Sequence, residues 1–377
     1  MKYMMLKEVC SIKMGQSPAS DSYNDNGEGV PFFQGNADFG ERYPVARKWC
    51  SAPMKMAEPE DILISVRAPI GALNYAKEEC CIGRGLAALT PNKSKILPEY
   101  MFWLLKGKNA ELNSKGTGST FKAIGRKVLE EILVPDIGME QQMEYAANLE
   151  KINGIIQLRK QELQKLDELI KSRFVEMFGN PVSNPKGMVK KTLPELGEFG
   201  RGVSKHRPRN DKALLGGPYP LIQTGDIANS GMYITEYHST YSELGLRQSK
   251  MWDKGTLCIT IAANIAKTAI LGFDACFPDS VVGFNANENT NNVFVHYWFS
   301  FFQEILESQA PESAQKNINL KILSKLEVIV PDIQEQNKFA AFVAQTDKSK
   351  LTIQKSLDEL ETLNKALMQK YFGGNGV

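Results

Sequence analysis

The chain has 377 residues, 42% hydrophobic and 23% charged, enough for two domains with cores of their own and ordinary for a soluble globular protein. Its net charge of +2 is near balance, so attraction to an anionic polymer must come from local clusters rather than from the whole chain. No apolar run follows Met1-Lys2-Tyr3, and the most apolar segment, Phe294 to Phe302, is interrupted by His296 and Ser300. Neither a signal peptide nor a membrane span is expected, and the expected compartment is the cytoplasm.

In chain order, Lys13-Met14-Gly15-Gln16-Ser17-Pro18 and Gln34-Gly35-Asn36 read as polar loops containing glycine. Asp61 to Val66 is apolar and partly β-branched, the pattern of a buried strand. Cys80-Cys81 reads as a half-buried strand in a reducing compartment. The six cysteines have no CxxC spacing and only three histidines exist, so no zinc site is expected. Leu97 to Leu105 reads as a short aromatic helix whose Trp103 belongs to the core, and Lys115 to Lys122 as a further polar loop. Then come Val134-Pro135-Asp136-Ile137 and Glu140-Gln141-Gln142, and a long helical stretch closed by Phe178-Gly179.

That stretch, 140–177, contains no proline and one glycine. Its apolar positions, Leu149, Ile152, Ile156, Leu163, Leu166, Ile170 and Met177, alternate by threes and fours with Arg159 and Arg173 in the gaps, the seam of a coiled coil. Gly179 and Pro181 mark its end, since glycine takes the left-handed cap and proline cannot continue a helix.

The chain then repeats itself. Val330-Pro331-Asp332-Ile333, Glu335-Gln336-Asn337 and Phe372-Gly373 echo the first closing sequence at a nearly constant offset (331 − 135 = 196; 372 − 178 = 194). Tyr100-Met101-Phe102-Trp103 is answered by Val295-His296-Tyr297-Trp298, and Pro31-Phe32-Phe33-Gln34 by Pro220-Leu221-Ile222-Gln223. This period is too long for a solenoid, whose units run about 20–50 residues, and marks duplication of a whole domain. Thr256 to Ile261 reads as the second copy's buried strand and Asn292 to Leu306 as its aromatic helix, with Trp298 in the core. The second helical stretch, 335–371, carries the seam Phe339, Val343, Ile353, Leu357, Leu360, Leu367 and Tyr371, interrupted by Thr346, Lys350 and Asn364. Polar seam positions fall at different places in the two stretches, which favours pairing of one with the other inside the chain. An antiparallel rod of roughly 57 Å, about 1.5 Å per residue, would act as a ruler between the two copies.

The fold class expected is therefore mixed α/β (α+β): globular domains at 1–139 and 181–334, a long helix with linker at 140–180 and a second long helix at 335–377, with pseudo-two-fold symmetry. Charge is balanced in both copies, with 18 Lys/Arg against 16 Asp/Glu in 1–139 and 15 against 15 in 179–334. One cluster stands out, Arg201, Lys205, Arg207, Arg209 and Lys212, with only Asp211 opposing.

The matched polar loops carry residue types that contact phosphates and base edges. Phosphate contacts are assigned to Lys13, Arg67, Arg84, Lys122, Arg201, Lys205, Arg207 and Lys267. Base-edge contacts are assigned to Gln16, Gln34, Asn36, Gln223, Asp226 and Asn264, and further DNA contacts to Ser17, Lys115, Thr117, Ser204, Thr224, Gln315, Lys316 and Asn317. No GxxxxGK[ST], no GxGxxG after a strand and no Asn-Pro-Pro-aromatic sequence occurs, so the chain reads as non-catalytic, without cofactor or metal.

Two variable domains, each closing in a Val-Pro-Asp-Ile and Glu-Gln sequence and a helix ended by Phe-Gly, resemble the specificity (S) subunit of type I restriction–modification enzymes. Ala314-Gln315-Lys316-Asn317-Ile318 resembles the family's Q-K-N-I segment, from which the first copy departs with Ser119-Thr120-Phe121-Lys122-Ala123-Ile124. The resemblance implies that each domain reads half of a split, asymmetric double-stranded DNA site and that paired helices set the spacer. It also implies that the helical region docks methyltransferase (M) subunits, two per chain, and that restriction (R) subunits join through the complex. A stand-alone DNA-binding regulator, a specificity subunit of a related type II system, and a scaffold held by the coiled coil remain as alternatives.

Overall fold

The computed structural model describes residues 2–118, 122–262, 265–308, 318 and 320–373, and the chain packs as two units. Unit 1 is Met1–Gln161 with Gln354–Val377, and unit 2 is Glu162–Ile353. Each 40-residue helix, Met139–Phe178 and Ile333–Phe372, contributes residues to both units. The division therefore falls inside the helices.

Unit 1 is organised on an antiparallel sheet in the order Cys10–Met14, Leu86–Pro91, Ile62–Ser65, Leu73–Tyr75. Ile62–Ser65 is buried at every position, as the apolar run Ile62-Leu63-Ile64 requires. Helix Pro98–Gly107 begins with proline, whose missing N–H costs nothing there, and buries Tyr100, Met101, Trp103, Leu104 and Leu105. A second sheet of short strands places Cys80–Ile82 between Val30–Phe33 and Met56–Ala57. Cys80 and Cys81 are thus fully buried rather than half-buried, because this strand is covered on both sides.

Unit 2 repeats the plan. Its main sheet runs Gly197–Arg201, Val281–Ala286, Leu257–Thr260, Thr268–Leu271, Tyr233–Ile234, and helix Asn292–Ser308 buries Trp298. The repeat holds at single hydrogen bonds. Gly15 N–H donates to Leu86 O and Gly202 N–H to Val281 O. A Cβ at Gly15 would lie 2.1 Å from Gly83 O, and one at Gly202 2.4 Å from Phe277 O, so only glycine fits either place.

Gln142 and Gln336 are buried equivalents. Gln142 Oε1 accepts from Leu97 N–H, and its Nε2 donates to Lys95 O and Ile137 O. Gln336 Oε1 accepts from Asn291 N–H and Thr290 Oγ1, and its Nε2 donates to Asn289 O and Pro331 O. One amide in each unit thus ties the start of a long helix to the turn before the aromatic helix. The Glu-Gln echo places Gln141 opposite Gln336, but it is Gln142 that does this work.

Within each unit the long helices run antiparallel. In unit 1 Tyr145 stacks on Tyr371 at 3.7 Å, Asn148 donates to Tyr371 OH, and Lys160 pairs with Glu361 at 2.8 Å. In unit 2 Lys350 Nζ meets Asp167 at 2.6 Å, and Phe174 and Phe178 pack edge-on against Phe339. The expected seam is withdrawn from solvent throughout. Leu149, Ile156, Ile170, Val343 and Leu357 are buried, and Ile152, Leu163, Leu166, Ile353, Leu360 and Leu367 are partly buried. The helices also enter the domain cores: Leu149, Tyr371 and Phe372 in unit 1, and Ile170, Phe174, Phe178, Phe339 and Val343 in unit 2. Gly179 adopts φ +79°, the left-handed stop expected of it.

Candidate nucleic-acid interface

In unit 1, Met14 lies opposite Ala87 and Leu86 opposite Ser65, so the segments after Met14, before Leu86 and after Ser65 leave the main sheet at one edge. Backbone bonds lock them together: Gln16 N–H to Ile82 O, Gly83 N–H to Phe33 O, Val66 N–H to Gly85 O and Ala68 N–H to Lys122 O. Arg84 N–H donates to Ser17 Oγ, and Thr117 exchanges two bonds with Ala123. Gln16, Ser17, Gln34, Arg67, Arg84, Thr117 and Lys122, spread over more than a hundred residues of sequence, meet at this edge. All but half-buried Ser17 are exposed. Asn36 follows in a 3₁₀ turn held by Asp38, whose carboxylate accepts from Gln34 and Gly35 N–H.

Two assigned residues of unit 1 have partners within the unit. Lys13 Nζ donates to Met56 O at 2.6 Å, because its position within a strand turns it onto the neighbouring sheet. Lys115 pairs with Glu111 at 2.7 Å, one helical turn earlier.

The same edge recurs in unit 2, where Gly202 N–H bonds Val281 O and Ile261 N–H bonds Ser280 O. It is more basic. Arg207 and Arg209 both reach the Asp279 carboxylate, and Arg201 Nε donates to Asp279 O. Three guanidinium groups thus share one aspartate and leave a net positive surface. Lys205 and His206 N–H donate to Gln248 Oε1, which fixes the loop. The Ala213 N–H, and then His206, hold the Asp211 carboxyl below the usual carboxylate range.

Arg201, Lys205, Arg207 and Gln223 are exposed, and Thr224 and Lys267 are half-buried. Ser204 is only 6% exposed, and its Oγ has no hydrogen-bond partner among the described residues. Asp226 first caps its own turn, with Oδ2 accepting Gln223 N–H at 2.8 Å and Oδ1 meeting His238 Nδ1 at 3.0 Å. Asn264, Gln315, Lys316 and Asn317, and the Ser119-Thr120-Phe121 part of the first copy's loop, lie outside the described residues.

Sequence reasoning did not find Asp279, Gln248 or His238. Asp279 and Gln248 lie 70 and 43 positions from the loop residues they organise, and nothing local marks them. Among the described residues no group of three or more His, Cys, Asp or Glu could hold a metal ion, and no helix is long and apolar enough to cross a membrane.

A fold of two repeated α/β units with antiparallel long helices, each unit gathering polar and basic loops at one sheet edge, defines a class of paired recognition modules. The family model described as "Type I restriction modification DNA specificity domain" matches residues 1–168 and 185–362, and the chain belongs to that family. It is 43% identical over 157 residues to the putative type I restriction enzyme MjaX specificity subunit of Methanocaldococcus jannaschii, a match spanning 42% of this chain and 37% of that relative. Across 98% of this chain and 92% of the relative it is 21% identical to the type I restriction enzyme MjaIX specificity subunit of the same organism. The crystal structure of the type I restriction–modification system S subunit from M. genitalium shares the fold, with TM-score 0.61 and 15% identity over 100% of this chain and 96% of that one.

Proposed function

We propose that this chain is the specificity subunit of a type I restriction–modification complex, reading an asymmetric bipartite site on double-stranded DNA. The observation that carries the reading is the sheet edge built twice, once per unit, on matching backbone bonds but with different side chains: Gln16, Arg67 and Arg84 in unit 1, Arg201, Arg207 and Arg209 in unit 2. Shared scaffold with divergent loops is what recognition of two unlike half-sites requires. The basic side chains neutralise phosphates and set register, and the amides and hydroxyls discriminate bases, each good contact contributing about 1–3 kcal/mol.

The chain performs no chemistry of its own in this reading. It docks two methyltransferase subunits, which methylate the site, and restriction subunits join through the complex. Support for two docking places comes from Leu169 in unit 2 and Leu363 in unit 1, equivalent in the repeat and each 48% exposed on a long helix. The long helices set the spacer between half-sites, and the complex acts in the cytoplasm. Methylome sequencing of cells carrying the methyltransferase subunit, with and without this chain, tests the reading. A bipartite methylated motif that vanishes with the chain is expected, and an unchanged methylome with active methyltransferase would overturn it.

A further inference from the structure

A cleft of about 610 Å³ in unit 2 is lined by Gln223, Asp226, Ser230, Thr235, Glu236 and His238 among others, with no lysine or arginine among the described residues of its wall. Asp226 is fixed from both sides, accepting Gln223 N–H on one oxygen and facing His238 Nδ1 with the other. A carboxylate can only accept, so Nδ1 carries the proton that faces Asp226, and the lone pair of that tautomer is on Nε2. His238 is 80% exposed, which leaves that lone pair accessible. Together with the Asp226 and Glu236 carboxylates it gives the cleft an excess of hydrogen-bond acceptors.

Next to it lies a second cleft of about 300 Å³, lined by Ser204, Arg209, Thr224 and Ser280, which shares Gln223 and Ser239 with the first. Here the buried Ser204 hydroxyl is without a partner among the described residues, and Arg209 stands beside Asp279. Gln223 and Ser239, joined at 3.4 Å, separate the two. The surface thus changes within one side chain from donors suited to phosphate to acceptors suited to an N–H.

Resting on the DNA-reading function proposed above, we infer that the Asp226–His238 cleft reads an exocyclic amino group in the major groove, the N6 amine of adenine or the N4 amine of cytosine. These are the donors that those bases present there, and carboxylates accept from cytosine N4 in the same manner. Guanine and thymine present O6 and O4 at that depth and would set acceptor against acceptor, so the cleft selects by rejection as well as by attraction. Asp226 is then a positioning residue, and His238 makes the contact.

The test uses the chain in complex with its methyltransferase subunit, on the motif that methylation mapping defines. Each adenine or cytosine of the second half-site, the methylated adenine excepted, is replaced singly by the analogue lacking the amine: purine for adenine, 2-pyrimidinone for cytosine. With the natural chain, one replacement should weaken binding about tenfold, and which analogue does so identifies the base. With His238→Ala the same replacement should cost less than twofold, while analogues in the first half-site cost the same in both proteins. His238→Gln, which restores an acceptor, should recover part of the discrimination. Analogue costs unchanged by His238→Ala at every position of the second half-site would overturn the inference. Failure of the natural complex to prefer its own motif would instead count against the DNA-reading function itself.

Discussion

The two units share a plan and differ in what secures it. In unit 2 the helix pair is closed by phenylalanines: Phe339 meets Phe174, Phe178 and Tyr297 edge to face, and Phe294 joins behind them. In unit 1 the matching place is held by the Tyr145–Tyr371 stack, bonded to Asn148 and bordered by Phe372 on Tyr100. The backbone bonds of Gly15 and Gly202, and the amides of Gln142 and Gln336, are the same in both. Repetition is kept where the backbone has one solution and abandoned where side chains have several.

The comparison is broken most strongly at the closures. Phe339→Ala removes a fully buried ring and should destabilise unit 2 by about 3–5 kcal/mol, whereas Tyr145→Ala, at a half-buried stack, should cost unit 1 clearly less. Denaturant unfolding followed separately for the two units would show whether that order holds.

At the shared amides the outcome should be equality. Gln142→Ala and Gln336→Ala each strand several buried polar groups and should cost about 2–3 kcal/mol apiece. A large effect at one with none at the other, by the same unfolding measurement, would mean that the two bonds are not equivalent.

Acid should separate the units again. His296, which takes the place of Met101, bonds Thr268 Oγ1 at 2.9 Å, and burial, followed by the Lys350 charge, pushes its pKa down to about 4. The unfolded chain, with an ordinary histidine near 6.5, binds the proton first. Stability is therefore complete above about pH 6.5 and falls as pH drops towards 4, by about 3 kcal/mol at the lower end. Thermal melts between pH 7 and 4.5 should show this slope in unit 2, and His296→Asn should flatten it.

The smallest effect is electrostatic. Arg209→Ala should leave stability within about 0.5 kcal/mol and lower the slope of log affinity for DNA against log salt by about 1. An unaltered slope in a salt titration would remove Arg209 from the phosphate contacts.

Much of this was legible in the sequence. The helices expected at 140–177 and 335–371 are found at Met139–Phe178 and Ile333–Phe372, because a three-four alternation sustained over five heptads has no other satisfactory packing. Trp103 and Trp298 are core residues, and the strands 61–66 and 256–261 appear as Ile62–Ser65 and Leu257–Thr260. Loop residues were recognised as polar and matched, but their convergence depends on strand order, which local pattern does not encode. Lys13 shows the consequence: its residue type suits phosphate, yet its strand position directs it to Met56 O. Asp279 shows the converse, since an isolated aspartate becomes important only when the fold brings three arginines to it.

In the function proposed, each unit reads its own half of the site. Residues 1–139 can be exchanged for the corresponding segment of another family member with a different motif, and the methylated sequence then mapped. One half-site should change to the donor's while the other half-site is kept. Changes in both halves, or a motif left intact by the exchange, would contradict it.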